Sequence, residues 1–156
     1  MQLPYLTPLT PDQIEGAGVP GRWSYGIRDR VRFAEIDQLN HVNNVAYLQW
    51  FEMIRVRYFV EWGMTGYKPG DPQVVMRAQT AEYLAPMHLN DDYLVACRTA
   101  NYRNTSFTME YVCFSEGVKV TGQSVIVMVE PNGKTKRMLP DDLVSRFQDI
   151  DGATKA

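Results

Sequence analysis

A chain of 156 residues with 45% hydrophobic content is long enough to bury one core and has the length of a single domain. Its 16 basic and 18 acidic residues leave a net charge of −2, which argues against a dedicated nucleic-acid binder but leaves room for a basic groove around one phosphorylated ligand. No apolar run approaches the ~20 residues that span a bilayer.

The start, MQLPYLTPLTPDQIEGAGVPG, has neither the basic beginning nor the apolar stretch of a secretory leader, so the expected compartment is the cytoplasm. In that reducing setting Cys97 and Cys113 are expected as free structural thiols. The sequon Asn104-Thr105-Ser106 is then without meaning as a glycan site. Residues 1–21, punctuated by Pro4, Pro8, Pro11 and Pro20 and by Gly16, Gly18 and Gly21, read as an irregular extension over the domain surface. Residues 23–34 suit a first strand, with Tyr25, Ile27 and Phe33 among polar neighbours.

The segment from Asn44 to Trp62 is the best helix. Leu48, Phe51, Ile54, Val56, Tyr58 and Phe59 recur at three- and four-residue steps, and Val45, Trp50, Met53 and Val60 widen the apolar surface beyond one stripe. Such a helix, about 28 Å long, must be enclosed on most sides. Gly63 supplies its stop. The period then changes to two. Strands are expected over 73–85, 92–102, 105–115 and 118–130, with turns at Glu116-Gly117 and at Pro131-Asn132-Gly133-Lys134. Pro140-Asp141-Asp142 opens a short last helix with Leu143, Val144 and Phe147 as its apolar face, and 151–156 form a tail. Strand, long helix, then four closely spaced strands predict an α+β fold, a five-stranded antiparallel sheet curled round the helix. Partner subunits are one natural cover for the two edges of such a sheet.

Polar residues crowd into RFAEIDQLNHVNN, residues 32–44, where a plain helix start needs only one capping side chain. Asp37 precedes the amino end of an apolar helix, where unpaired N–H groups favour a carboxylate or a developing oxyanion. A carboxylate beside such donors has the two parts needed to attack an activated carbonyl. Its bland alternative is a surface acid or cap. Glu35 shares the period of Asp37 in an extended strand and is a second acid or a strand-end charge. His41 is a general base or a turn-shaping ring. Asn40, Asn43 and Asn44 are turn and cap residues. Tyr47, Trp50 and Glu52 are packing and surface groups. His41 and His88, the only histidines, lie far apart in sequence and no paired-Cys spacing exists, so no metal site is expected. A serine nucleophile elbow, a P-loop and a dinucleotide glycine pattern are absent.

The stretch VRFAEIDQLNHVNNVAYLQWFEMIRVRYF resembles the signature of hotdog-fold acyl-CoA thioesterases of the 4-hydroxybenzoyl-CoA thioesterase type. The features that carry the resemblance are Asp37, His41-Val42-Asn43-Asn44, Tyr47, Glu52 and Arg55. YLAPMHLNDDYLV at 83–95, YRNTSFTMEY at 102–111 and RMLPDDL at 137–143 extend it, so it covers residues 25–147 of a domain spanning 22–150. Glu35 stands where the first acid of an Asp-x-Asp pair is usual.

The resemblance implies that Asp37 attacks an acyl-CoA thioester or activates water, that the Asn44 backbone N–H polarises the carbonyl, and that His41 belongs to the same site. It also implies that Asn104, Thr105 and Ser106 help hold coenzyme A, with Arg137 as a further phosphate contact. No metal or redox cofactor is implied, and the expected assembly is a homodimer or homotetramer. A hydratase or dehydratase on the same fold, and an acyl-CoA-binding module without turnover, are the alternatives. The Asp-x-Asn-Pro-x-His arrangement of hotdog hydratases is missing.

Overall fold

In a computed structural model, which describes residues 2–156, the sheet lays one face against an 18-residue helix, α2 (Asn44–Glu61). Asn43 starts the helix by accepting the Val45 N–H on its side-chain oxygen at 3.0 Å. Gly63, at φ +71°, turns the chain away at the other end. Ala46, Tyr47, Trp50, Phe51, Ile54, Tyr58 and Phe59 are all buried, as expected for a helix apolar on most sides.

The four segments of period two form β3 (Gln73–Tyr83), β4 (Asp92–Tyr102), β5 (Ser106–Phe114) and β6 (Val118–Val129). With β2 (Tyr25–Arg30) they pair antiparallel in the order β2-β4-β5-β6-β3. Alternation splits their side chains between two layers. Tyr93, Val95 and Cys97 face α2 together with Phe107, Met109, Tyr111 and Cys113. Trp50 stacks on Tyr93 at 4.0 Å between ring centroids, and Phe51 on Tyr111 at 4.9 Å. Leu94, Ala96 and Val112 belong to a separate cluster on the outer face.

An antiparallel sheet on α2 fits the hotdog arrangement, but the expected five strands become seven. The additional ones are β1 (Pro8–Leu9), antiparallel to β2, and β7 (Thr154–Lys155), parallel to the far end of β4. Two residues are too few to display a period, so the pattern that revealed the others is blind to them.

Residues 1–21, of which Met1 lies outside the described residues, are more regular than expected. Thr10 and Gln13 form a reciprocal capping box that starts α1 (Pro11–Gly16). Leu9, Ile14 and Val19 then pack with Leu94, Ala96 and Val112 as a second small core.

The first strand stops at Arg30, and Phe33–Glu35 form a 3₁₀ turn, so Glu35 and Asp37 do not share an extended strand. Beyond α3 (Asp141–Arg146), a π-helical turn over Phe147–Asp151 buries Asp151. Its carboxylate accepts from the Tyr58 hydroxyl and, at 2.8 Å, from the Thr99 N–H. Burial pushes the Asp151 carboxyl above the usual carboxylate range. Cys97 and Cys113 are free and buried, and burial raises both thiols. Among the described residues no helix is long and apolar enough to cross a membrane.

Candidate active site

Between the 3₁₀ turn and α2 the chain folds into a tight loop around one carboxylate. The Asp37 N–H donates to the His41 carbonyl at 2.8 Å, and the Asn40 N–H to the Asp37 carbonyl at 3.1 Å. Asn40 sits at φ +59°, a left-handed conformation that asparagine tolerates better than most residues. Asp37 Oδ1 accepts from the Leu39 N–H at 2.8 Å and the His41 N–H at 3.3 Å. Asp37 Oδ2 has no hydrogen-bond partner among the described residues. One oxygen builds the loop and the other is available.

The helix start contributes a donor. Asn43 satisfies Val45, and the Ala46 N–H reaches the Asn43 carbonyl at 2.9 Å, but the Asn44 N–H meets no acceptor among the described residues. The Asn44 carbonyl accepts from the Tyr83 hydroxyl at 3.2 Å, joining the end of β3 to the helix start. Asp37, His41 and Asn44 line one cavity of about 320 Å³ with Tyr47, Tyr83 and Pro86. Burial raises the Tyr47 hydroxyl pKa, keeping it protonated at neutral pH. The cavity is therefore lined by one residue with an unpartnered carboxylate oxygen and by another with an unsatisfied N–H, and Tyr47 and Tyr83 give it aromatic walls.

His41 and His88, far apart in sequence, meet edge to face at 5.3 Å between ring centroids. Their separation in sequence, one of the two grounds for expecting no metal site, does not keep the rings apart in the fold. The His41 and Asp91 contacts of His88 come from the connection between β3 and β4, which also ties down the loop: the Val42 N–H donates to the Met87 carbonyl at 2.8 Å. Glu35 is already engaged, accepting from the Trp50 indole N–H at 2.9 Å and from the Arg32 N–H at 2.8 Å. It holds the 3₁₀ turn to α2.

The other expected residues form a second group. Asn104 and Thr105 occupy the tight turn between β4 and β5, closed by the Arg103 N–H on the Ser106 carbonyl at 2.8 Å. The Asn104 and Thr105 N–H groups meet no acceptor among the described residues. The Leu139 N–H donates to the Asn104 carbonyl at 2.9 Å, bringing the segment of Arg137 alongside. Arg137 itself pairs with Glu130 at 3.3 Å. None of Asn104, Thr105, Ser106 and Arg137 lines the Asp37 cavity.

Tyr83 and Pro86 line the cavity and His88 touches His41, and the sequence alone assigns no role to any of the three. The stretch YLAPMH carries part of the family resemblance, but its position at a strand end facing the helix start depends on the β3–β6 register.

The family model described as "Thioesterase-like superfamily" matches residues 31–147. A crystal structure of a thioesterase superfamily protein from Jannaschia sp. CCS1 is 34% identical, with a TM-score of 0.92 over 99% of this chain and 100% of that one. The acyl-CoA thioester hydrolase YbgC of Escherichia coli O6:H1 is 25% identical over 126 residues, 76% of this chain and 92% of that protein. The uncharacterized protein YsmA of Bacillus subtilis is 28% identical over 82 residues, 53% of this chain, and the match spans only 55% of that protein.

Proposed function

The chain belongs to the thioesterase-like superfamily and is a thioester hydrolase, and from that premise we propose that it cleaves acyl-CoA thioesters at Asp37. The observation that carries the proposal is that Asp37, with an unpartnered Oδ2, and Asn44, with an unpartnered N–H, line one cavity. A thioester carbonyl oxygen turned toward the Asn44 N–H gains a donor as negative charge develops on it. The Asp37 carboxylate then either adds to the carbonyl carbon or takes a proton from the water that adds. Collapse of the tetrahedral intermediate expels the coenzyme A thiolate. In the first route the remaining mixed anhydride is hydrolysed by water. In the second the acid forms directly. His41 donates its backbone N–H to Asp37 and so holds the loop.

Coenzyme A itself is assigned to the 104–106 turn, whose two free N–H groups suit an acceptor-rich ligand, with Arg137 beside it. Because that turn and Asp37 line no common cavity in one chain, the complete site is assigned to the interface of a homodimer or homotetramer. The acyl-CoA named for the YbgC relative supports the substrate class. The test is thiol release from a panel of short, medium, long, branched and aromatic acyl-CoAs. Release from at least one acyl-CoA, with no absorbance change on enoyl-CoA, is expected. Tight acyl-CoA binding without release would leave a binding module instead.

A further inference from the structure

The loop that carries Asp37 is hydrogen-bonded to itself. Among the described residues, every hydrogen bond of residues 37–41 has both ends inside that stretch: the Asp37 N–H to the His41 carbonyl, the Asn40 N–H to the Asp37 carbonyl, and the Leu39 and His41 N–H groups to Asp37 Oδ1. Leu39 is 73% exposed, so the tip of the loop gains no support from burial. The two ends are fixed by the Ile36–Val42 bridge, by the Asn43 N–H on the Glu35 carbonyl at 2.7 Å and by the Val42 N–H on the Met87 carbonyl. Between those ends, the His41 ring reaches another element and meets the His88 ring edge to face, with the planes at 78°.

His88 stands on a firmer base. It opens a turn in which the Asp91 carboxylate accepts the His88 N–H at 2.8 Å and the Asp91 N–H donates to the His88 carbonyl at 3.2 Å. Asn90, at φ +70°, completes the reversal. Two backbone bonds clamp this turn to the buried Val31: the Val31 N–H to the Asp91 carbonyl at 2.9 Å, and the Asn90 N–H to the Val31 carbonyl at 3.2 Å. The preceding Met87 is fully buried and accepts the Val42 N–H. Consecutive residues of one connection therefore grip consecutive residues of the other: Met87 takes the Val42 backbone and His88 takes the His41 ring. The His88 ring itself makes no side-chain hydrogen bond among the described residues, its Nδ1 lying 3.8 Å from the Asp91 carboxylate.

We infer that His88 is a positioning residue for the hydrolysis proposed above: its ring backs the His41 ring and so holds the Asp37 loop in the form that leaves Oδ2 unpartnered. The inference rests on the reading of Asp37 as the reacting carboxylate, and His88 acts through His41 without touching substrate. Edge-to-face pairs are favoured because the positive edge of one ring meets the negative face of the other, and such a contact shifts an equilibrium by about two- to tenfold. It also fixes where the His41 ring stands beside the cavity that His41 shares with Asp37 and Asn44. The property that matters at position 88 is then an aromatic ring on a clamped turn, and the imidazole nitrogens are dispensable.

The experiment has two arms. The first follows amide hydrogen exchange in the full chain without substrate. His88→Ala should speed exchange of the Leu39 and His41 amides, both bonded to Asp37 Oδ1, by about two- to tenfold while the amides of α2 keep their rates. His88→Phe, which keeps a ring, should return them close to wild type. Because the chain has only two histidines, the His41 imidazole resonance is read directly in either variant, and it should move in His88→Ala. The second arm measures thiol release from the fastest acyl-CoA of the panel. There kcat should fall about two- to tenfold in His88→Ala, with KM within about twofold, and recover in His88→Phe. If circular dichroism shows that His88→Ala does not fold, His88→Leu, apolar but without a ring, takes its place. Loop amides that exchange at wild-type rates without the ring, a His88→Phe no better than His88→Ala, or an unmoved kcat beside faster loop exchange overturns the proposal. Faster exchange rescued by His88→Phe, with no release from any acyl-CoA even by the wild type, supports the hold of His88 on the loop and counts against the hydrolase reading alone.

Discussion

Asp37 and His41 hold each other through both backbone and side chain: the Asp37 N–H donates to the His41 carbonyl at 2.8 Å, and the His41 N–H returns to Asp37 Oδ1 at 3.3 Å. The loop is thus built on one carboxylate oxygen while the other has no hydrogen-bond partner among the described residues. That leaves loop-building to one oxygen and the proposed chemistry to the other.

That division makes Asp37→Asn informative. The amide oxygen can still accept from the Leu39 and His41 N–H groups, so the loop is expected to stand. The negative charge and the basic oxygen are lost. General-base or nucleophilic assistance is commonly worth about 10²–10⁴ in rate, so kcat should fall on that scale with substrate affinity little changed. Glu35→Gln should stay within about tenfold of wild type, since its carboxylate is committed to Trp50 and Arg32. Measuring kcat and ligand affinity for both variants checks the assignment. A near-normal Asp37→Asn or a dead Glu35→Gln moves the catalytic acid elsewhere.

Gly122 tests the fit of helix to sheet. A Cβ there would lie 2.7 Å from the Phe51 ring and 3.1 Å from the Thr80 carbonyl oxygen. The ring is itself stacked on Tyr111 and has little room to yield. Gly122→Ala should cost about 1–3 kcal/mol, the usual range for overpacking a core. At about 2–4 °C per kcal/mol for chains of this size, thermal unfolding would show it. An unchanged Tm would mean that Phe51 can move.

Asp151 predicts a pH dependence of stability. Its carboxyl titrates higher in the folded protein than in the unfolded chain, with burial as the largest cause. The folded state therefore favours the protonated form. That contribution is complete below the unfolded value, about 3.9, and is lost as pH rises through the folded value. Asp151→Asn carries no titrating group, so wild-type stability relative to the variant should decline from about pH 4 toward neutrality. Thermal melts of both proteins across that window measure it, and a constant difference would rule the linkage out.

The long helix and four strands were legible because each runs for several periods of an amphipathic pattern. Asp37 is a candidate on sequence alone because a carboxylate ahead of an apolar helix stands beside unpaired N–H groups whatever the rest of the fold does. Tyr83 and His88 were not, since their approach to Asn44 and His41 depends on strand register and a return loop. Glu35 was misplaced by assuming that the strand continued, when Arg32 and Glu35 close a 3₁₀ turn instead. The roles of Ile14 and Asp151 needed the tertiary structure, because the surfaces they cover come from β4 and β5 and from Tyr58.

The free edge of β3 bears on assembly. Among the described residues this strand pairs with β6 alone, and it exposes Val75 and Met76. A homodimer, or a dimer of homodimers, is expected to cover it. Light scattering at micromolar concentration should report at least twice the 17.9 kDa of one chain. A stable, active monomer would refute it.

The brace that Asp151 forms with Tyr58 and Thr99 also has a kinetic consequence. Tyr58 and Asp151 are 93 positions apart, whereas the β4–β5 and β5–β6 pairings join strands consecutive in the chain. Contacts between distant positions demand closure of long loops and slow the search, so the β4–β5–β6 meander is expected to order before the brace. Until the brace closes, the far end of β4 lacks β7 and presents open hydrogen-bonding groups at Asn101 and Tyr102. In that interval these positions are a template for unwanted strand pairing between chains, and Asp151 is the residue whose arrival ends the exposure.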